Sequence, residues 1–377
     1  MEEIRKEPYK YICDWAESLL IHVGKQTFEV LSLLPCSLIL PDIPYETKYI
    51  RPQINAMILS PPSGGKSTIA EKFAKMSMNP LTFRRISATE LISQIIINPE
   101  LFTIINEDFS QVAEDYDVIK VLEGVTGDER KISDKTNRRN IEINTKAVAL
   151  ICGTPSDLTR YIQNLEGGMF FRLVPIMINH SPEQHSEIGK YINSKIGTYD
   201  NINLLMKKEE NILNYYKELR AIQAGENREI KPIIKYNIPD DIRQSGGYYW
   251  DKITTSLVKG MNFYWIRELH EFYRFLVAHA FLNVYNRKIT PITMNGIEGS
   301  EITINKEDYE VALKLMKQNI KFKYCLIKAT GLNRHITSAE ALKIALDSKG
   351  VPSQAKNILK NISPYSSSIN SNKDFND

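Results

Sequence analysis

The sequence predicts an α/β protein built around a parallel β-sheet. Two short apolar runs, residues 56–59 and 147–152, have the unbroken hydrophobic character of strands that are buried on both faces. A third apolar run, residues 101–105, lies between them and is followed by acidic residues. The first run leads through a glycine-containing turn into a stretch with helical spacing. Strands that alternate with helices in this way form parallel sheets.

The composition is that of a globular protein with a sizeable core. Hydrophobic residues make up 42% and charged residues 25% of the 377 residues. The net charge of +3 is too small to indicate nucleic acid binding by itself, so any basic surface is expected to be local. The four cysteines are widely spaced, which argues against a disulfide framework or a zinc site and fits a cytoplasmic protein. We find no secretory signal and no run of about 18 apolar residues, so no membrane partner is expected.

Residues 1–50 are predicted to form a helical lead-in. Residues 11–23 carry apolar side chains at helical spacing, and residues 28–40 are largely apolar. A loop that contains prolines then leads into the first buried strand. The lead-in either packs on the core, which we place at residues 51–180, or covers part of the ligand site described next.

The segment after the first buried strand fits a phosphate-binding loop. The pattern G-x-x-x-x-G-K-[S/T] is matched at Gly65, Lys66 and Ser67, whereas Ser60 replaces its first glycine. Backbone N–H groups of such a turn can surround a phosphate, and the positive end of the following helix points at it. Lys66 would reach the β- and γ-phosphates, and the Ser67 hydroxyl would bind Mg²⁺. The residues expected to contact ATP are Ser60, Pro61, Pro62, Ser63, Gly64, Gly65, Lys66, Ser67 and Thr68.

The acidic residues after the run at 101–105 resemble the second motif of a nucleotide site. One carboxylate at such a strand end holds Mg²⁺, and another orients the attacking water. Two registers remain open for the segment Asn106-Glu107-Asp108. Either Asn106 takes the metal position with Glu107 as the base, or Glu107 takes the metal position and Asp108 follows it. We favour Glu107 as the main catalytic carboxylate and expect it to contribute to the Mg²⁺ site.

Residues 128–145 predict a β-hairpin with a basic tip. Two arms of alternating polarity flank a polar centre that carries Lys135, Arg138 and Arg139. A charged hairpin tip is commonly just a solvated turn. Here it lies between the acidic strand and the next core strand, a position from which it can contact a DNA backbone.

Two further positions fit a phosphate-transfer site. Thr154 follows the strand at 147–152 and would contact the γ-phosphate or the attacking water. Arg172 follows a glycine turn and precedes a fifth strand. An arginine at this place can stabilise the charge that develops on a phosphate, in its own chain or in a neighbouring subunit. Arg160 is a second candidate for this role.

The chain after the core is predicted to be mainly helical. Residues 181–245 form a charged helical connector, and residues 246–321 form a small helical lid. Within this lid, His279 is interpreted as a partly buried helix residue rather than a metal ligand.

The final segment has the spacing of a helix-turn-helix module. Residues 322–363 combine a capped helix, a glycine turn and a second helix, which suits DNA binding, although a plain helical hairpin has the same pattern. Residues 364–377 are expected to be disordered. The polar positions expected to face DNA are Gln354, Lys356 and Lys360.

The order of these motifs resembles that of AAA+ ATPases. More narrowly, it is similar to the ATPase core of minichromosome maintenance (MCM) helicases and of related plasmid or viral replication ATPases. The clearest stretch is residues 266–280, which read I-R-E-L-H-E-F-Y-R-F-L-V-A-H-A. They resemble the MCM lid-helix pattern V-R-Q-L-E-x-L-I-R-L-A-x-A-H-A. The resemblance covers about residues 50–360 at the level of motifs.

The resemblance implies a P-loop AAA+ core with a central parallel sheet, an α-helical lid and a C-terminal winged helix-turn-helix module. It also implies a ring, a hexamer in the family, with ATP sites between subunits and a pore for DNA. The implied roles are Walker A for Lys66 and Ser67, Walker B for Glu107 with Asn106 or Asp108, sensor 1 for Thr154, arginine finger for Arg172, sensor 2 for Arg267, and pore contact for Lys135, Arg138 and Arg139.

These observations favour an ATP-hydrolysing motor that acts on single- or double-stranded DNA, such as the replicative helicase of a mobile element. One alternative is an AAA+ initiator, helicase loader or transposition regulator that does not unwind DNA. Another is a degenerate nucleotide-binding scaffold. The departures from the family pattern that motivate these alternatives are Ser60 in the loop, Asn106 at the usual Walker B aspartate, and too short a segment for the helix-2 insert.

Overall fold

A parallel sheet flanked by helices forms the centre of the structure. The structure is a computed structural model. The residues that it describes are 1–45, 48–97, 102–112, 115–126, 131–134, 139–142, 146–155, 157, 172–196, 202–257 and 265–330.

The lead-in folds into short helices and a β-hairpin. The helix Pro8–Leu19 buries one apolar stripe, because its hydrophobic residues recur at helical spacing, whereas every residue of the helix Leu34–Ile39 is buried. Trp15 and Phe28 are fully buried and meet edge to face, with ring centroids 5.6 Å apart. The elements are α1 (Glu2–Lys6), α2 (Pro8–Leu19), α3 (Gly24–Leu31), α4 (Leu34–Ile39), β1 (Ile43–Tyr45) and β2 (Lys48–Ile50).

The core alternates strands and helices, as the sequence predicts. A short 3₁₀ turn, Phe109–Gln111, follows the acidic strand. The elements are β3 (Ala56–Leu59), α5 (Lys66–Met76), β4 (Pro80–Phe83), α6 (Ala88–Ile97), β5 (Phe102–Asn106), α7 (Tyr116–Thr126), β6 (Lys131–Asp134), β7 (Arg139–Glu142), β8 (Ala147–Gly153) and β9 (Val174–Met177).

The described part of the chain contains a central sheet of five parallel strands in the order β4-β5-β8-β3-β9. Every residue of β3, β5 and β8 is buried, which explains their unbroken apolar character. The chain passes from β3 to the far edge, returns through β5 and β8, and adds β9 on the other side of β3. In open α/β sheets, a ligand binds outside the carboxyl ends of the strands, where the strand order reverses.

The predicted basic hairpin is present in the backbone. β6 pairs with β7 in antiparallel register, with Lys131 opposite Glu142 and Asp134 opposite Arg139. Lys135 and Arg138, which connect the two strands, lie outside the described residues.

The chain after the core is not purely helical, which corrects the predicted helical connector and lid. Besides its helices it forms, among the described residues, a second sheet in the order β10-β12-β11. The elements are α8 (Pro182–Lys195), α9 (Ile202–Gln223), β10 (Ile233–Asn237), α10 (Asp240–Leu257), α11 (Trp265–Leu282), β11 (Ile289–Met294), β12 (Ile297–Thr303) and α12 (Lys306–Thr330).

The predicted boundary between lid and terminal module falls inside a helix. α12 runs without a break from Lys306 to Thr330, across the predicted division at residues 321 and 322. The remainder of the predicted helix-turn-helix module and the tail lie outside the described residues, and so do Gln354, Lys356 and Lys360.

The lead-in packs against the helices that follow the core, which favours the first of its two predicted arrangements. The Tyr216 hydroxyl of α9 donates to the Ser32 carbonyl oxygen at 2.8 Å. Arg5 pairs with Glu218 of the same helix at 3.0 Å. The Lys146 amine, just before β8, donates to the Leu40 carbonyl oxygen at 2.8 Å and joins the lead-in to the sheet.

Among the helices that the structure describes, none combines the length and apolar character needed to cross a bilayer.

Candidate functional site

A cavity of about 570 Å³ lies beside the carboxyl ends of β3, β5 and β8. This is the edge of the sheet where the topology places a ligand, and the volume is typical of small-molecule sites. The cavity brings the predicted loop, acidic residues and Thr154 together in one place. Its lining residues are Pro62, Ser63, Gly64, Gly65, Lys66, Ser67, Thr68, Arg84, Glu107, Asp108, Cys152, Gly153, Thr154 and Asp157.

The loop after β3 has the backbone of a phosphate cradle. Ser63 and Gly65 have φ angles of 64° and 87°, in the left-handed region that turns the chain sharply. Gly65 then caps α5 without a side-chain hydrogen bond, so backbone N–H groups at the start of α5 remain available to an anion. The Ser60 N–H donates to the Gly153 carbonyl oxygen at 3.2 Å and ties the loop to β8.

Ser60 supports the loop from below rather than lining the cavity. Its side chain is fully buried, and its hydroxyl donates to the Pro61 carbonyl oxygen at 3.0 Å. A Cβ atom placed on Gly64 would approach the Ser60 Oγ to 1.7 Å, so the serine fills the space that glycine leaves open at position 64. The loop therefore accommodates serine at position 60, where the pattern has glycine, because position 64 has no side chain. Ser60 and Pro61 are the predicted contact residues that do not line the cavity.

Lys66 places its amine inside the loop. Its Nζ atom donates to the carbonyl oxygens of Ser60 at 2.7 Å and Pro61 at 3.0 Å. Burial lowers the pKa of this amine, while the nearby carboxylates of Asp157 and Asp108 act in the opposite direction. The loop therefore holds a cation at the mouth of a cradle of N–H groups, an arrangement that attracts phosphate.

The structure separates the three polar residues at the end of β5. Asn106 is fully buried and turned towards β4, where its Nδ2 atom donates to the Phe83 and Arg84 carbonyl oxygens at 3.4 and 3.2 Å. Its side chain is not part of the cavity lining, whereas Glu107 and Asp108 both line it. The geometry therefore disfavours the register in which Asn106 takes the metal position.

The two carboxylates have different neighbours. Glu107 accepts a hydrogen bond from the Arg84 Nε atom at 3.1 Å, and the Arg84 side chain is 73% exposed. Asp108 accepts from the Ser110 hydroxyl at 2.6 Å and from the Ser110 N–H at 3.2 Å, so the following 3₁₀ turn orients it. Glu107 is thus held by a solvent-exposed partner, and Asp108 by the hydroxyl and the N–H of Ser110.

Thr154 lines the cavity between the loop and the carboxylates. Its N–H and hydroxyl both approach the Asp157 Oδ2 atom, at 2.8 and 2.7 Å, and the Asp157 N–H donates back to the Thr154 Oγ1 at 3.3 Å. This is the reciprocal arrangement of a capping box at a helix start. It fixes Thr154 against the end of β8.

Among the predicted arginines, Arg172 is the one whose side chain the structure describes, and it does not line this cavity. The Arg172 Nη1 atom donates to the Glu123 carbonyl oxygen of α7 at 2.8 Å. Arg267 belongs to α11 and Arg139 to β7, but their side chains are outside the described part of the structure. Arg160 lies outside the described residues altogether.

Sequence reasoning missed four of the described residues that line the cavity: Arg84, Cys152, Gly153 and Asp157. Cys152 is fully buried at the end of a core strand, and burial raises the pKa of its thiol to about 12. The segment Thr154-Pro-Ser-Asp157 has the spacing of a capping box, so the sequence did contain a signal for Asp157. Arg84 carries no such signal, because its position depends on β4 lying next to β5.

The residues present fit a nucleoside triphosphate with Mg²⁺. Hydroxyl and carboxylate oxygens, which Mg²⁺ prefers, are supplied by Ser67, Glu107 and Asp108. Among the described residues, no group of three or more His, Cys, Asp or Glu side chains is placed to hold a metal. Phosphate oxygens and water would therefore complete the coordination, as is usual for Mg²⁺ in phosphate-transfer sites.

A scan against models of known protein families found no match for this chain, and a search of curated proteins also found none.

Proposed function

We propose that this chain binds ATP with Mg²⁺ and hydrolyses it. One observation carries the proposal: the amine of Lys66, held inside a phosphate cradle, faces a cavity that Glu107 and Asp108 also line. A cation beside N–H donors binds the phosphates, and carboxylates opposite them can position a metal and a water. The loop alone would support only nucleotide binding.

The cavity residues have separate roles in binding ATP and in hydrolysing it. Lys66 and the start of α5 hold the β- and γ-phosphates, and Ser67 with one carboxylate holds Mg²⁺. Bound Mg²⁺ would neutralise charge on the phosphate oxygens during transfer. The second carboxylate accepts a hydrogen bond from the attacking water and aligns it with the γ-phosphate. In this proposal Glu107 and Asp108 together hold Mg²⁺ and orient the attacking water, and Glu107 is the main catalytic residue.

An AAA+ motor that acts on DNA is the more specific form of this proposal. The sequence resemblance to MCM-type ATPases supports it, and so does the parallel sheet with the loop on a central strand. Arg172 is anchored on α7 and does not line its own cavity. An arginine finger at this position would therefore act on the site of a neighbouring subunit, as in the ring that the resemblance implies.

The basic hairpin is the proposed DNA contact. β6 and β7 lie in the chain between the acidic strand and β8, so the hairpin is attached directly to the elements that would respond to hydrolysis. Lys135, Arg138 and Arg139 would bind phosphates of the DNA backbone through charge. Movement of the hairpin would then shift the bound strand.

ATP turnover measured without DNA, with single-stranded DNA and with double-stranded DNA tests this function. We expect Mg²⁺-dependent turnover that DNA accelerates, and we expect substitution of Lys135, Arg138 and Arg139 by alanine to remove the acceleration. The matched control replaces the exposed Lys190, Lys207 and Lys217 by alanine and should keep the acceleration. Turnover that ignores DNA would contradict the DNA-acting motor but not the ATPase.

A strand-displacement assay then separates the motor from a non-unwinding initiator, loader or regulator. ATP-dependent unwinding that is lost with the basic tip supports the motor. DNA-stimulated turnover without unwinding supports the non-unwinding alternative. Tight ATP binding without any turnover supports the degenerate scaffold.

A further inference from the structure

Asp157 is a cavity residue with no role in the function proposed above. It lies one turn after the end of β8 and lines the same cavity as Lys66, Glu107 and Asp108. Its carboxylate receives both polar hydrogens of Thr154, at 2.8 and 2.7 Å on the same oxygen. This contact fixes the direction of the hydroxyl that Thr154 presents to a ligand.

The chemistry of the pair decides which partner donates. An ionised carboxylate can only accept hydrogen bonds, so the single proton of the Thr154 hydroxyl points at the Asp157 Oδ2 atom. The Asp157 N–H points at the Thr154 Oγ1 and enforces the same direction. While this pair is intact, Thr154 cannot donate to a γ-phosphate oxygen, because phosphate oxygens are acceptors too. It presents an oxygen, not a proton, to its ligands.

We propose that Asp157 is a positioning residue of the hydrolytic site: it holds the Thr154 hydroxyl as a hydrogen-bond acceptor, which serves the attacking water rather than the phosphate. The inference rests on the proposed ATPase activity and deepens it. Of the two roles open to Thr154, contact with the γ-phosphate or with the water, the geometry points to the second. Asp157 acts through Thr154 and does not itself touch the reacting atoms.

The position of Asp157 agrees with this role. It is half-buried and fixed by its own backbone N–H bond to Thr154, so its carboxylate is held close to the end of β8. Its charge, with that of Asp108, opposes the lowering of the Lys66 pKa that burial causes. Asp157 thus lies in the same cavity as Lys66, where a fixed hydroxyl can affect the chemical step.

The test compares Asp157→Ala, Thr154→Val and the double variant in the full chain. Alanine removes the oxygen that accepts both hydrogens of Thr154 and so releases the hydroxyl proton. We expect Asp157→Ala and Thr154→Val each to lower kcat by on the order of a hundredfold, the cost of misplacing a reacting group. The affinities for ADP and for a slowly hydrolysed ATP analogue should change by less than about twofold, because ground-state binding is not involved.

The double variant distinguishes positioning from a purely structural role. If Asp157 acts through the hydroxyl, adding Asp157→Ala to Thr154→Val changes kcat no further. Two conservative variants should keep most of the parent kcat: Thr154→Ser retains the hydroxyl, and the amide oxygen of Asp157→Asn can accept both hydrogens of Thr154. Asp240→Ala, at a carboxylate that is 87% exposed, is the matched control and should behave like the parent.

Three results would overturn the role of Asp157. The first is a loss of kcat in the double variant that equals the product of the two single losses, and the second is unchanged turnover in Asp157→Ala. The third is a Thr154→Val chain that loses affinity for the ATP analogue but not for ADP, because it would show that Thr154 donates to the γ-phosphate. A parent chain that has no turnover at all would overturn the proposed hydrolysis together with this role, so the two failures are distinguishable.

Discussion

At the residue scale, Ser60 and Gly64 pack as a complementary pair, so the loop keeps its shape without the first glycine of the pattern. Ser60 is buried beneath the loop, and its Oγ atom occupies the volume into which a Cβ on Gly64 would project. A larger residue at position 60 therefore requires glycine at position 64. The pair keeps the cradle open above it, where Gly65 adopts its left-handed backbone.

This pairing predicts that Gly64→Ala is harmful only while Ser60 is present. The added methyl would overlap the Ser60 Oγ at 1.7 Å and force the loop to move, so the affinity for MgADP should fall. Ser60→Gly should restore much of it, with a coupling free energy of about 1 kcal/mol or more. Titration calorimetry on the parent, both single variants and the double variant measures the coupling. Equal losses in both backgrounds would contradict the packing.

The carboxylates give a second prediction at this scale. Glu107→Gln should lower kcat by about a hundredfold or more while ATP binding is retained, because the substitution removes a base but little ground-state contact. Single-turnover kinetics with separately measured ATP affinity checks this. Asp108→Asn is the comparison that decides the division of labour. A larger kcat loss in Asp108→Asn than in Glu107→Gln would move the main base to Asp108.

The position of the loop between β3 and α5 was predictable because the strand-turn-helix pattern is local, although Ser60 and Pro61 do not line the cavity as expected. The register at the end of β5 was not predictable, since it depends on which side chains point away from the neighbouring strand. Asn106 is directed towards the backbone of β4, and only the pairing of β4 with β5 shows this. Arg84 reaches the cavity for the same non-local reason. Sequence spacing holds no information about either contact.

At the element scale, a buried ionic cluster joins α11 to α12. Asp308 is fully buried, accepts from His279 at 2.7 Å, and receives two hydrogen bonds from the Arg287 guanidinium through its Oδ1 and Oδ2 atoms. Its carboxylate also accepts the Asn305 N–H at 2.9 Å and so caps α12. His279 is thus a fully buried partner in an ion cluster, not the partly buried helix residue that its spacing predicted.

The cluster makes stability depend on pH in a defined direction. Burial raises the pKa of the Asp308 carboxyl, but the hydrogen bonds from His279 and Arg287 outweigh it and hold the pKa below its ordinary value of 3.8. A lowered folded-state pKa stabilises the fold above the unfolded-state pKa, and this contribution is lost as pH falls through the folded-state value. Acid should therefore remove the stabilisation that the cluster provides at neutral pH.

Asp308→Asn tests this contribution. Near neutral pH it should lower the free energy of unfolding by about 3 kcal/mol, because it leaves Arg287 buried without its full counter-charge. The difference from the parent should shrink as the pH falls below the ordinary carboxyl value of 3.8 and through the lowered folded-state pKa. Urea denaturation at several pH values measures both. Glu310→Gln, on the same helix and 63% exposed, should leave the urea midpoint unchanged; a difference between parent and Asp308→Asn that is constant with pH would refute the linkage.

The hairpin of the second sheet shows why some elements were missed. Asn295 and Gly296 both have positive φ angles, of 53° and 78°, and connect β11 to β12 as a two-residue turn. The Asn-Gly signal was in the sequence, but the long helical patterns on either side of it favoured a wholly helical lid. β10 could not be predicted locally, because it pairs in parallel with β12, more than 60 residues later in the chain.

At the scale of the whole molecule, the lead-in is part of the fold rather than an attachment to it. Trp15 and Phe28 are fully buried, and contacts from α1 to α4 reach α9, α11 and the start of β8. The central sheet was predictable because its strands are apolar runs. The position of the lead-in was not, because the apolar stripe of a helix shows that it packs but not against what.

Removal of residues 1–40 should therefore damage the entire chain. The deletion would expose the apolar faces of α9 and α11, and we expect increased binding of a hydrophobic dye and a lower thermal midpoint. Arg5→Ala is the matched control: it removes the partly exposed ion pair with Glu218, which should cost less than about 1 kcal/mol. A shortened chain that melts at the parent temperature would show that the lead-in is dispensable.

The central claim, that the cavity hydrolyses ATP, is tested most directly by phosphate release from the full chain and from Lys66→Ala. We predict Mg²⁺-dependent release by the parent and a loss of at least about a hundredfold in Lys66→Ala, because the variant lacks the cation that faces the phosphates. Lys72→Ala on the same helix, which removes an ion pair with Glu209 away from the cavity, serves as the control. Equal phosphate release by the parent and Lys66→Ala would contradict the assignment.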